Sequence, residues 1–510
     1  MILPFFSSIF KFLSFPPFEL SYLIFISLIP LFIFLLKEKQ IWKIICGILL
    51  YRALSQVLLG LYIPEPIFIF FETLFFIPFI ILIITIKRII PSSKLFLPIV
   101  AAGYLLSECV AARYTPLPSF VTLSGLPLPD TAFISIASWG GTILGGPYTA
   151  TIFVIFVNLL LTLVIARTIK EPFLSKQNWP SFFKQLSFTL ILILAIGFFS
   201  NAMFKNKIEL AKTNNVVKKH LRLAMVSTGD AHNDASGLFF PAPKTHEEIK
   251  NYINKNLKEV QDRTATFQPD LLIMPEHFFD MMLIGDTNKE ANEKFGITNA
   301  GIIFSSYQSY AKVNNVAILV SLKTYGEQRG KKQSMILIDA NGNLSQIADK
   351  YYLTIVSERW PLGKWLPFYW KWALPMLPPQ LREESFITLS PSGQYSSAEK
   401  PFSIINFGNI TLGPLLCSEG HYNAPYQSLL EKGTDIFIST SDNGWLSYFK
   451  DQYIKEMILL KQLYAVSSGK PILVSGLKDS VGIIYPNGKF EGLLPKKTDN
   501  IMVLTKDLEL

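Results

Sequence analysis

Leu415-Leu416-Cys417-Ser418-Glu419-Gly420 is an apolar run that stops at a thiol and leads into a turn. A second run, Leu271-Leu272-Ile273-Met274-Pro275-Glu276, is closed by a proline and delivers a carboxylate at its tip. In a third, Ile347-Ala348-Asp349-Lys350, a lysine closes a run that follows the hairpin signal Asn341-Gly342-Asn343. Short apolar runs bounded by turn residues read as buried strands. Singly, each ending has an ordinary explanation: carboxylates cap helices, lysines are solvated, and a lone cysteine fills core. Together they suffice for one chemistry. A thiol with an ordinary pKa of about 8.5 is a weak nucleophile until it is deprotonated. A glutamate can take and return that proton, and a lysine ammonium can stabilise both the thiolate and the oxyanion of a tetrahedral intermediate. Glu276 as general base and acid, Lys350 as charge stabiliser and Cys417 as nucleophile therefore allow acyl transfer through a thioester with no cofactor and no metal.

Around these endings the pattern alternates strand and helix. Strand-like runs are expected at 221–227, 270–274, 316–322, 334–339, 402–407, 410–416, 435–439, 472–474 and 482–485, with a second hairpin signal at Pro486-Asn487-Gly488. Amphipathic helical stretches are expected at 246–267, 299–313, 425–432 and 451–467. Intervening helices in about 280 residues imply a layered α/β fold. The Trp-, Pro- and Phe-rich stretch 351–394 reads as an excursion whose apolar part, 360–377, suits contact with a bilayer or a lipid.

The first part of the chain is built differently. Residues 1–204 carry 13 Lys/Arg and 7 Asp/Glu, about 10% charged, whereas the remaining 306 carry 34 and 31, about 21%. Apolar runs near bilayer-spanning length lie at 20–36, 41–62, 66–86, 95–112, 150–166 and 186–203. The run 2–18, interrupted by Lys11 and Pro16-Pro17, reads as a short or half-inserted helix, or as an interfacial one, and not as a cleavable signal peptide. About seven spans result. Lys37, Lys39 and Lys43, then Lys87, Arg88 and Lys94, then Arg167, Lys170, Lys176 and Lys184 fall in alternate loops, which puts the N-terminus inside and the second part of the chain outside. Within the runs, Arg52, Glu72 and Glu108 either line a substrate or headgroup path, or pair with one another or sit near an interface. The segment 113–148 is too polar and too rich in Pro and Gly to cross, and suits a structured outer loop.

Over all 510 residues, 50% are hydrophobic and 17% charged, with mean hydropathy +0.33, which argues against an ordinary cytosolic enzyme. Three cysteines do not make a disulfide scaffold, and five histidines in no metal-like spacing do not make a histidine metal site. The net charge of +9 is mostly the excess of the first 204 residues, where it sets topology; no nucleic-acid partner is expected. Cys46 and Cys109 lie in apolar runs, leaving Cys417 for the second part.

The order Glu276, Lys350, Cys417 in an α/β domain resembles the nitrilase (carbon–nitrogen hydrolase) superfamily, whose fold is an αββα sandwich. With a polytopic α-helical membrane domain before it, the chain is similar to the bacterial apolipoprotein N-acyltransferase family. Further matches are Phe15-Pro16-Pro17-Phe18, the segment 108–146, the spacing from Lys350 to a second glutamate at Glu358, Glu419 after Cys417, Ser441-Asp442-Asn443-Gly444-Trp445, and Gly469-Lys470-Pro471-Ile472. The chain departs from the family at Ser418, where an aromatic residue is usual. It also departs in the loop 351–357, in having no tryptophan between His220 and Asp270, and at 501–510, too short and charged for the family's closing membrane helix. The resemblance implies a membrane domain over 1–204 with about seven helices and a catalytic domain over 205–510, its core about 219–490. It implies a multi-pass protein of the bacterial inner membrane, its catalytic domain on the outer side. Glu358 and Glu419 support the three central residues. The implied partners are a phospholipid acyl donor and a diacylglyceryl-modified apolipoprotein, whose N-terminal cysteine α-amino group is acylated. The alternative is a membrane-anchored amidase or hydrolase that discharges the same thioester to water. A degenerate scaffold is disfavoured because the three residues are present. His277 and His421 neighbour the site, but fit structural roles better because Glu276 already supplies a base.

Overall fold

A computed structural model describes residues 1–59, 76–89, 95–114, 123–170, 179–214, 219–229, 246–276, 278–279, 282–284, 300–326, 330–353, 358, 397–443, 450–496 and 500–510. Glu72, His277, 354–357, 360–377, Gly444 and Trp445 lie outside them. The chain divides into two units: Met1–Asn214 with Tyr448–Gly469 and Pro486–Gly488, and Asn215–Ser447 with Lys470–Tyr485 and Lys489–Leu510.

The first unit is helical: α1 (Ile2–Leu13), α2 (Ile29–Lys37), α3 (Ile41–Leu59), α4 (Ile77–Ile89), α5 (Phe96–Tyr114), α6 (Gly146–Lys170) and α7 (Trp179–Asn214). Two stretches among the described residues, Gly146–Ala166 and Pro180–Lys207, are long and apolar enough to cross a bilayer. The α1 helix has only 12 residues, too few to cross alone. It ends at a buried polar cluster. The Lys11 ammonium lies 2.5 Å from the Glu108 carboxylate of α5, which also accepts from the Tyr104 hydroxyl at 2.6 Å and from the Ser124 N–H and hydroxyl. Glu108 thus pairs with Lys11, not with Arg52, whose guanidinium lies 4.2 Å from the centre of the Phe76 ring. Removing one partner of such a pair costs about 3–5 kcal/mol. Glu108→Gln is therefore expected to lower the melting temperature of the purified protein.

The second unit is built on thirteen described strands in two sheets. They are β1 (His220–Thr228), β2 (Leu271–Glu276), β3 (Met282–Ile284), β4 (Ala317–Gly326), β5 (Gly330–Ile338), β6 (Leu344–Asp349), β7 (Ile405–Phe407), β8 (Ile410–Leu416), β9 (Ile436–Asp442), β10 (Ile472–Leu477), β11 (Val481–Ile484), β12 (Phe490–Leu493) and β13 (Ile501–Glu509). One sheet runs β13-β1-β2-β4-β5-β6, with β3 beside β4; the other runs β12-β11-β10-β9-β8-β7. Strands covered on both faces read as unbroken apolar runs, as β2 and β10 do. Between the sheets lie Leu223, Met225, Ile273 and Leu319 from one and Leu412, Leu416, Ile438 and Leu473 from the other. The outer face of the first sheet is covered by α8 (His246–Thr264) and α9 (Ala300–Asn314), through Ile253, Leu257, Tyr307 and Ala311. On the second, α10 (Asn423–Glu431) sets Tyr426 against Phe437, ring centres 4.9 Å apart. The order of layers is helix, sheet, sheet, helix, as expected.

Two strand expectations change, and one strand forms where none was expected. The run 402–407 narrows to β7, because Phe402 has φ 50°, a left-handed conformation that no strand adopts. The run 334–339 begins earlier, at Gly330, and takes in buried Lys332 and Gln333. The charged segment 501–510 forms β13, antiparallel to β1 along its whole length. The helical stretch expected at 451–467 is α11 (Lys450–Ser468), which belongs to the first unit.

Candidate functional site

Three strand ends supply the chemical groups. Glu276 is the last residue of β2, displaced by an irregularity in the pairing with β4 between Ile273 and Glu276, and sits across from Ser321. Lys350 follows β6; its N–H donates to the Gln333 carbonyl at 2.8 Å, and its carbonyl accepts from Ala398 N–H at 3.0 Å. Cys417 follows β8 and opens the short 3₁₀ turn Cys417–His421. Glu276 and Lys350 are 1% and 0% exposed, respectively. Cys417 has φ 49°, a left-handed backbone that costs a non-glycine residue about 1–2 kcal/mol. Such an outlier persists only where the surrounding structure enforces it, and it turns the thiol abruptly off the strand.

Electrostatics bind the three together. The Lys350 ammonium lies 2.8 Å from Glu358 Oε1. Burial alone would lower the Lys350 pKa, but the negative charges of Glu358, Cys417 and Glu276 outweigh it and raise it, so the ammonium stays charged. At Cys417 the balance goes the other way. Burial, and next Glu276, push the thiol above its ordinary range, with Lys350 opposing and Glu358 and Asp442 adding to the rise. Together these influences favour the protonated sulfur over the thiolate.

Glu419 closes the turn from within. It is buried, and it accepts from the N–H groups of Leu416 at 3.1 Å, Tyr351 at 2.7 Å and Tyr352 at 3.2 Å. Burial pushes its pKa up to about 7, against those N–H groups and the Lys350 charge. A carboxyl whose native pKa exceeds its unfolded value makes the folded state bind more protons. Stability then falls as pH rises between the ordinary 4.5 and about 7, by about 3 kcal/mol at most. Glu419→Gln is expected to flatten that stretch of the stability-versus-pH curve, read from urea melts between these limits.

Of the other candidates, Ser441 donates to Asp479 at 2.6 Å, and the Asn443 N–H donates to the Leu477 carbonyl at 3.0 Å. These bonds fix the end of β9, beside the thiol. His421 ends the turn. Sequence reading missed Gln333, whose carbonyl holds Lys350 and whose amide donates to Ser321 at 3.3 Å, across from Glu276. The available signal was the polar triplet Lys332-Gln333-Ser334 inside an apolar strand. Among the described residues no group of His, Cys, Asp and Glu is arranged to hold a metal ion.

No protein-family model matches the chain. A curated relative, "Apolipoprotein N-acyltransferase 1" of Treponema denticola, is 22% identical over 284 residues, which is 51% of this chain and 46% of the relative. The chain thus spans about half the length of the curated relative it matches. Among solved structures, a mutant of the Nesterenkonia AN1 amidase from the nitrilase superfamily matches 56% of this chain and 91% of its own, at 12% identity and TM-score 0.38. A further amidase structure from Nesterenkonia sp. matches 57% and 90%, at 14% identity and TM-score 0.37.

Proposed function

We propose that the chain is a multi-pass membrane acyltransferase that moves an acyl group from a phospholipid to the α-amino group of a lipid-modified N-terminal cysteine, by way of a thioester on Cys417. The observation that carries this reading is the convergence of Glu276, Lys350 and Cys417, from three separate strand ends, around one buried ammonium. The name of the curated relative supports the same class of reaction.

Each half-reaction needs one proton moved out and one returned. As the Cys417 sulfur attacks the ester carbonyl, Glu276 takes the thiol proton. The tetrahedral oxyanion forms near the Lys350 ammonium, the ester C–O bond breaks, and Glu276 protonates the departing lysophospholipid oxygen. The acceptor amine then attacks the thioester and gives its proton to Glu276. The C–S bond breaks, and the sulfur recovers the proton. Glu358 keeps the ammonium in place, and Glu419 holds the turn. The apolar runs of the first unit, about seven spans in all, keep the site at the lipid surface. The alternation of basic loops orients it to the outer face of a bacterial inner membrane.

Incubating the purified protein with phospholipid vesicles and a diacylglyceryl-cysteine peptide tests this directly. The expected products are lysophospholipid and N-acylated peptide in equal amounts. Free fatty acid without N-acylation would replace the transferase by a hydrolase.

A further inference from the structure

Ser418 follows the thiol directly and is buried. Its hydroxyl donates to the main-chain carbonyl of Tyr352 at 3.1 Å. Tyr352 is two residues beyond Lys350, and the nucleophile's segment grips it in three ways. Its N–H and that of Tyr351 go to Glu419. Its carbonyl goes to Ser418. Its ring lies 5.3 Å from the Tyr422 ring and 5.3 Å from that of Phe402, both edge-on. On the other side, the Lys350 main chain is fixed by Gln333 and Ala398. Lys350 stands at one end of this clasp and Cys417 at the other.

Directly after the thiol, this chain has a hydroxyl that reaches across to the lysine's loop. We propose that Ser418 is a positioning residue whose hydrogen bond to Tyr352 sets the separation between the Lys350 ammonium and the Cys417 sulfur. The inference rests on the reading of Cys417 as the nucleophile. Four charges act on that sulfur: Glu276 from β2, Lys350 beyond β6, Glu358, and Asp442 from the end of β9. Glu419 lies in the same turn. Of these five, Lys350 alone favours the thiolate, so a small retreat of the ammonium makes the sulfur harder to ionise.

The test is alkylation of Cys417 by iodoacetamide in the full-length protein, followed on the Cys417 peptide by mass spectrometry across a pH series. Ser418→Ala is expected to react about tenfold more slowly at any pH below the midpoint, its profile displaced upward by about one pH unit. Ser418→Thr, which keeps the hydroxyl, is expected to stay near wild type, and both variants to melt close to the wild-type temperature. A Ser418→Ala profile that overlays wild type, or one that is faster, overturns the inference. Equal losses in the Ala and Thr variants overturn it too. Phospholipid-dependent N-acylation, measured on the same preparations, reports separately on the proposed function. Absent N-acylation with a preserved Ser418 effect removes the acyltransferase reading and keeps the positioning role.

Discussion

Cys417→Ala is expected to lower phospholipid-dependent N-acylation by about 10⁴-fold or more, because the covalent route loses its thiol nucleophile. Cys46 and Cys109 belong to α3 and α5 of the first unit and are not at the strand end that presents Cys417. The variant should still fold. The thiol adds one small atom to a turn whose shape is fixed mainly by Glu419 and its three N–H donors. Loss of transfer with an unchanged melting curve is the expected combination. Transfer within about tenfold of wild type would show that the acyl group does not pass through this sulfur.

Lys350→Met is expected to hurt both activity and stability. The ammonium is fully buried and faces Glu358, Glu276 and Cys417, so its removal leaves negative charge in a poorly solvated space. Breaking a buried pair from one side costs about 3–5 kcal/mol. Losing a charge aimed at a developing oxyanion costs about 10²–10³ in rate. Urea melts of wild type and variant measure the stability loss, and a variant as stable as wild type would contradict the charge assignment.

Much of the second unit was legible because its strands are covered on both faces, so that burial writes them as continuous apolar runs. β2, β8 and β10 are such cases, and the residues that end β2 and β8 stand out against them. β13 was harder to read. Its Lys506 and Asp507 are tolerated because it lies at the end of its sheet, where charged side chains reach solvent and discourage further pairing. Its antiparallel partner, β1, lies nearly three hundred residues earlier, and no local pattern announces that pairing.

The supporting contacts were legible only in part. Glu358 and Glu419 were marked out by the family resemblance, which implies a glutamate at each of those places after Lys350 and Cys417. Gln333 and Tyr352 act largely through main-chain atoms, which every residue type possesses, so their side chains carry little signal. In the first unit, composition marks Lys11 and Glu108 as charges out of place in apolar runs. It does not say that they meet across 97 positions of sequence, which depends on how α1 and α5 pack.

Intact-mass analysis of the purified protein after exposure to phospholipid, with no amine acceptor present, tests the thioester route most directly. Wild type is expected to gain the mass of one acyl chain, localised to the Cys417 peptide and released by hydroxylamine, while Cys417→Ala gains nothing. An unmodified wild-type protein that nonetheless acylates the peptide would contradict the thioester route, as would an adduct that persists in Cys417→Ala.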